Sequence, residues 1–135
     1  TKIARAIPDL RIVVNHGANV RIDGQEPPEA WRRGIEEAAA SRNVYCKFSG
    51  IVEGSGKRDG AAPRPVDFYR KALDVVWTAF GEDRLIYGSN WPVSELFAPL
   101  ETVQTLALEY VGARGAEALE KVFWKNAVAV YKCKV

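Results

Sequence analysis

The chain has 135 residues, 47% apolar and 27% charged, ordinary proportions for one globular domain with a real core. Its formal charge of +2, with lysines and arginines scattered, argues against a nucleic-acid-binding surface. No run approaches the roughly 18 apolar residues of a membrane span, and the opening "TKIARAIPDL" carries no apolar signal region.

The first residues read as the tail of a helix. The chain also contains no Met, so a fragment or a processed chain is expected. "RIVVNH" (11–16) follows, a continuous apolar run that predicts a first strand. "PPEAWRRGIEEAAASR" (27–42) opens on prolines suited to a first helical turn and sets Trp31, Ile35, Ala38 and Ala39 on one stripe. "NVYCKFSG" (43–50) is β-branched and aromatic and predicts a second strand. "RPVDFYRKALDVVWTAFG" (64–81) spaces Phe68, Ala72, Val75 and Val76 as a helix, with Gly81 as its terminator. "RLIYGS" (84–89) is the third strand. Two helices close the chain, about 98–112 and 115–131, the last turning Val122, Phe123, Asn126 and Val130 one way.

The order is thus β-α-β-α-β-α-α. Strands alternating with helices imply parallel pairing through right-handed crossovers, in a single domain over 1–135. Cys46, in the second strand, and Cys133, near the end, have no metal-ligand spacing and read as reduced thiols of a cytoplasmic protein. Lys57-Arg58 lies in a Gly-rich loop and reads as solvated.

Loop lengths carry the first functional hint. The links from helix to strand are tight, whereas those from strand to helix are long: "GANVRIDGQE" (17–26) and "GIVEGSGKRDGAAP" (50–63). In α/β barrels and open α/β sheets, ligands bind among such loops, at the carboxyl ends of strands. Alternation along the strands puts Ile12, Val14 and His16 on one face. It puts Tyr45, Lys47 and Ser49 on the face of strand two that should point to a barrel lumen or cleft, and Val44, Cys46 and Phe48 under the helices. Ile86, Gly88 and Asn90 share a face of strand three. His16, Lys47, Ser49 and Asn90 therefore converge at one edge. Each has a bland reading. A lone histidine is more often a hydrogen-bonded structural residue, Lys47 can snorkel to the rim, and Ser49-Gly50 can be there simply to make a turn. Asn90 can bond its local backbone, and Trp91 can be a packing lid. Their convergence favours a site for the group rather than for any one member.

"VVNHGANV", "NVYCKFSGI", "DRLIYGSNWPV" and "VFWKNAVAVYK" resemble, in order, the C-terminal half of the amidohydrolase-related family that includes sugar-lactone and pyrone-dicarboxylate lactonases. The resemblance implies the last three strands of a TIM-type (β/α)8 barrel, a partial barrel with an extra C-terminal helix. It implies a metal-dependent hydrolase of a lactone, ester or amide bond in a small carboxylated or sugar-derived substrate. His16 matches the family's histidine at the end of strand six, as metal ligand or oxyanion donor. Lys47 and Ser49 match its "KLSG" strand, and Asn90 and Trp91 its "GSDWP" strand. Arg21, Lys47, Ser49 and Trp91 are then the substrate contacts, Arg21 because its loop suits an anionic group. A divalent metal, zinc before others, is the implied cofactor of the complete enzyme.

Two departures bear on activity. Asn90 stands where the family keeps the aspartate that serves as base, and an amide cannot take a proton from water at useful pH. Either Asn90 binds substrate, another group acts as base, or activity is weak or absent. The family's His-x-His is also missing, and one histidine cannot build a zinc site, which generally needs three protein ligands. Three parallel strands alone would leave two open edges. The expected partners are therefore a missing N-terminal barrel half or a second copy, besides a small-molecule substrate. Two other readings stand beside this one: a non-catalytic binding or oligomerising fragment, and a sugar- or nucleotide-binding open α/β domain. The latter is weak, because "GSGKRDG" (54–60) opens no helix as a phosphate loop does.

Overall fold

A computed structural model describes residues 1–134 of the chain. Its elements are α1 (Lys2–Ala6), β1 (Ile12–Val14), α2 (Glu29–Ala39), β2 (Val44–Phe48), α3 (Ile51–Gly54), α4 (Asp67–Phe80) and β3 (Leu85–Tyr87). After these come α5 (Leu100–Gly112), α6 (Ala116–Glu120) and α7 (Asn126–Tyr131), with one π-helical segment, Lys121–Lys125, joining the last two. The three strands pair in parallel in the order β1-β2-β3, as alternating βα units require. β1 and β3 are therefore both sheet edges. No described helix is long and apolar enough to cross a membrane.

Register sorts the two faces of the sheet. Ile12 pairs with Val44 and Val14 with Cys46, while Cys46 pairs with Leu85 and Phe48 with Tyr87. All of these lie on the helix side. Val44, Cys46, Phe48 and Leu85 are buried there against Ile35 and Ala39 of α2, Tyr69, Leu73 and Val76 of α4, and Leu106 and Tyr110 of α5. The Phe48 and Tyr110 rings stack at 5.4 Å, and Tyr87 stacks on Phe123 at 4.4 Å. Each such side chain taken from water contributes about 1.5–3 kcal/mol. Val13, Tyr45, Lys47 and Ile86 occupy the opposite face.

This register corrects the expected faces of strand one. Ile12 and Val14 share the helix side, and Val13 is the residue level with Tyr45. The strand also stops at Val14, two residues before His16. The reason is local: His16, Gly17, Ala18 and Asn19 all adopt left-handed φ values of 52–58°, which no strand accommodates. β3 likewise ends at Tyr87 rather than Ser89, and Asn90 has a left-handed φ of 58°. The long loop after β2 contains the short helix α3, which periodicity did not predict.

Three polar side chains hold the N-terminal ends of the strands and the adjoining helices. Arg84 donates to the carbonyls of Ala39 (2.7 Å), Ser41 (3.1 Å), Val44 (3.3 Å) and Ala79 (3.2 Å), and lies over the Phe80 ring. Asn126 donates to the carbonyls of Glu82 (2.7 Å) and Leu85 (2.8 Å), anchoring α7 to β3. Asn43 donates to the carbonyls of Ala4, Ile7 and Leu10. Each satisfies backbone acceptors that would otherwise be left at costly chain ends. α4 stops at Gly81, whose φ of 66° and ψ of 176° are reached essentially by glycine alone. Cys46 and Cys133 are both free, the first buried and the second exposed.

Candidate active site

The carboxyl ends of the three strands gather the polar residues of interest. β1 ends in the left-handed run, which turns the chain back so that His16 meets Ser49 just beyond β2. His16 Nδ1 and Ser49 Oγ are 2.8 Å apart. With Nδ1 engaged, Nε2 is the ring nitrogen left to face a substrate or a metal. Ser49 is only 6% exposed. The pair is held by close packing: a Cβ built on Gly50 would come within 2.7 Å of His16 Cβ, and one on Gly88 within 3.4 Å of Ser49 Cβ. Trp31 of α2 donates its indole N–H to the Gly17 carbonyl at 2.8 Å, pinning the strained turn. A left-handed residue other than glycine costs of order 1–3 kcal/mol and persists where the surroundings over-determine it, often at functional sites. His16 and Asn90 are both such residues.

Asn90, beyond β3, does not bond its own backbone through its side chain. Its Nδ2 donates to Oε1 of Glu53 in α3 at 2.7 Å. Glu53 Oε2 is buried and has no hydrogen-bond partner among the described residues. Glu53 is the residue that sequence reasoning missed. It lies in a glycine-rich loop, and its partner is 37 positions away. Beside it the Tyr69 hydroxyl donates to the Pro63 carbonyl at 2.7 Å. Burial raises the Tyr69 pKa, and the charge of Glu53 raises it further, so this phenol stays neutral.

Glu53, Gly50 and Arg21 share the lining of a cavity of about 290 Å3 with Asn19, Val20, Gly54 and Gly56. A smaller space of about 30 Å3 lies among His16, Ser49, Gly50 and Trp31. A larger groove of about 610 Å3 runs between α2 and α4. Its walls carry Glu26, Arg32, Glu36, Lys71 and Asp74, and Lys71 pairs with Glu26 at 3.4 Å. No strand end reaches it, so it reads as a solvated groove between helices rather than the site.

The expected residues are thus only partly brought together. His16 and Ser49 are joined directly, and Asn90 is joined to Glu53. Arg21 is exposed but lines the cavity that Glu53 lines. Among the described residues no hydrogen bond ties Lys47 or the Trp91 indole to this group, and Trp91 is 56% exposed. The described residues also contain no group of three His, Cys, Asp or Glu side chains able to hold a metal ion. One imidazole and one carboxylate do not make a zinc site by themselves.

In open parallel α/β sheets ligands bind at the carboxyl ends of the strands, and there this chain gathers a histidine, a hydroxyl, an amide and a carboxylate. The comparisons narrow the class. A family profile described as Amidohydrolase matches residues 1–133, and the chain belongs to that family. It is 42% identical over 93 residues to an L-fucono-1,5-lactonase of Burkholderia ambifaria, covering 69% of this chain and 30% of that protein. It is 33% identical over 99 residues to an L-fucono-1,5-lactonase of Burkholderia multivorans, covering 73% of this chain and 33% of that protein. A solved amidohydrolase of Burkholderia multivorans with bound zinc superposes with a TM-score of 0.85 at 26% identity, over 98% of this chain and 48% of that one. The chain therefore spans less than half the length of the relatives it matches.

Proposed function

We propose that the chain is the C-terminal part of a barrel hydrolase that opens a lactone, or cleaves a related ester or amide bond, in a small carboxylated or sugar-derived substrate. The observation that carries this reading is the His16–Ser49 pair at 2.8 Å, set at the carboxyl ends of parallel strands where such enzymes keep their chemistry. In this reading β1 to β3 are the last three strands of the barrel, and the open edges are covered by its other half or by a second copy. His16, through Nε2, donates to the oxygen that gains charge in the transition state. Ser49 fixes the imidazole. Arg21 and Lys47 receive a carboxylate or hydroxyl of the substrate, and Trp91 walls the mouth. A cytoplasmic setting agrees with the free thiols of Cys46 and Cys133.

A divalent ion belongs to this reading as a cofactor of the longer protein, since a related structure carries zinc. His16 is the only imidazole this chain offers it, and Nε2 would then be a ligand instead of the oxyanion donor; the other ligands would come from beyond these residues. A second reading, a non-catalytic fragment that binds or oligomerises, draws support from the same shortage of ligands among the described residues.

The test is turnover by the protein carrying this chain at its natural length. L-fucono-1,5-lactone is the first probe, because two relatives are lactonases of that compound. Acid release above the spontaneous rate supports the hydrolase. No release from that lactone or from a panel of sugar lactones, simple esters and amides, with zinc added, leaves the non-catalytic reading.

A further inference from the structure

We propose that Glu53 is the carboxylate that activates water in this site, and that Asn90 is its positioning residue. The inference rests on the hydrolase reading above. Asn90 cannot itself accept a proton from water, yet its Nδ2 is spent on Glu53 Oε1 at 2.7 Å. That bond fixes the rotation of the carboxyl group. It leaves Oε2 as the oxygen free to act, and Oε2 is buried without a partner among the described residues. A buried carboxylate oxygen left unpaired is costly, and such an atom marks a place for a water or a substrate group. Glu53 also lines the cavity of about 290 Å3. Gly50 lines both this cavity and the smaller space beside His16, so the carboxylate and the imidazole serve adjoining spaces. Tyr69 is no rival as base, because its hydroxyl is already donated to Pro63.

The step balances simply. Glu53 Oε2 takes a proton from water as the water oxygen bonds to the carbonyl carbon. The tetrahedral adduct then breaks its acyl C–O bond. The proton passes from Glu53 to the leaving alkoxide, which yields the hydroxy acid and restores the carboxylate. The titratable and charged groups near Glu53 are Tyr69 of α4, whose hydroxyl feels the Glu53 charge, and Arg21 of the loop after β1, which lines the same cavity; the neutral Asn90 is its hydrogen-bond partner.

The experiment compares wild type, Glu53→Gln, Glu53→Ala, Asn90→Ala and Asn90→Asp at natural length, with the lactone probe and across pH. Glu53→Gln should lower kcat by about 10²–10⁴-fold, the ordinary worth of a general base, and remove the acidic limb of the profile. Glu53→Ala should recover part of its rate when formate is added. Asn90→Ala should keep the acidic limb but lower kcat by about tenfold, as a lost orienting contact does. Asn90→Asp sets a second carboxylate against the first, so the limb should rise by about one pH unit or more. A folded Glu53→Gln within about threefold of wild type, less than any general base supplies, would overturn this inference and leave the hydrolase standing. So would a Glu53→Ala that formate does not help. A wild type that turns over no lactone, ester or amide would overturn both.

Discussion

Replacing Gly50 with alanine should separate His16 from Ser49, and the structure gives the size of the effect. Gly50 has φ +67°, and a Cβ there would stand 2.7 Å from His16 Cβ, 3.1 Å from Cγ and 3.4 Å from Nδ1. Carbon atoms pack best at roughly 3.5–4.0 Å, so the histidine has to move by about an ångström. The left-handed backbone costs an alanine about 1–2 kcal/mol. Relieving the overlap costs about 1–3 kcal/mol more, for a total of about 2–5 kcal/mol. Gly56 supplies the control, with the same φ of +67° but nothing within 4 Å of its added Cβ. Gly56→Ala should lose only the backbone part, about 1–2 kcal/mol. Urea unfolding of both variants at natural length, with m-values compared, reads the difference directly. Equal losses in the two variants, within about 0.5 kcal/mol, would refute the claim that Gly50 is small because His16 lies against it.

Arg84→Lys should cost about 2–4 kcal/mol in the same assay, because one ammonium cannot replace a fork that reaches four carbonyls; a loss under about 0.5 kcal/mol would count against that role. Cys133 is exposed and Cys46 is buried, with its thiol pushed up by burial to about 12. A thiol reagent at neutral pH should therefore label Cys133 within minutes and Cys46 only after denaturation. Fast native labelling of Cys46 would contradict its place under the helices. The same thiol predicts alkaline destabilisation. In the unfolded chain it ionises from its ordinary 9.0 upward, while in the fold it stays protonated to about 12. Tyr69 and Tyr110, both raised chiefly by burial, act in the same sense from 10.0 upward. Their contribution is thus fully kept below pH 9 and lost as pH climbs through that window. A urea midpoint that does not fall between pH 9 and 12 would refute the assignment.

Much of the fold could be read because its signals are local. Val44, Cys46 and Phe48 alternate with Tyr45 and Lys47, and the alternation alone put the first three under the helices, where they are buried. Gly81 ended a periodic run and is the left-handed residue that stops α4. His16 and Ser49 could be grouped because parallel strands end together. The end of β1 was not legible. A left-handed run that includes Ala18 goes against residue preference and is set by tertiary packing. The helix stripe of α4 was read in part: Ala72 and Val76 are buried as expected, but Tyr69 and Leu73 share the core with them, whereas Phe68 and Val75 lie at its margin. Glu53 escaped notice for a different reason. Nothing in "GIVEGSG" distinguishes a loop glutamate in solvent from one that meets an asparagine beyond another strand. What the sequence did carry, through its family resemblance, was an amide at the position of an expected base, and the structure sets a carboxylate within hydrogen-bond reach of that amide.

The central claim is that hydrolysis runs at the carboxyl edge of these strands through His16. The most direct measurement is kcat/KM for the lactone probe with the wild type and His16→Ala, both at natural length and of matched thermal stability. A transition-state donor of this kind is worth about 10²–10³-fold, so the account predicts a fall of that size in the variant. Turnover in the wild type that His16→Ala leaves unchanged would contradict it.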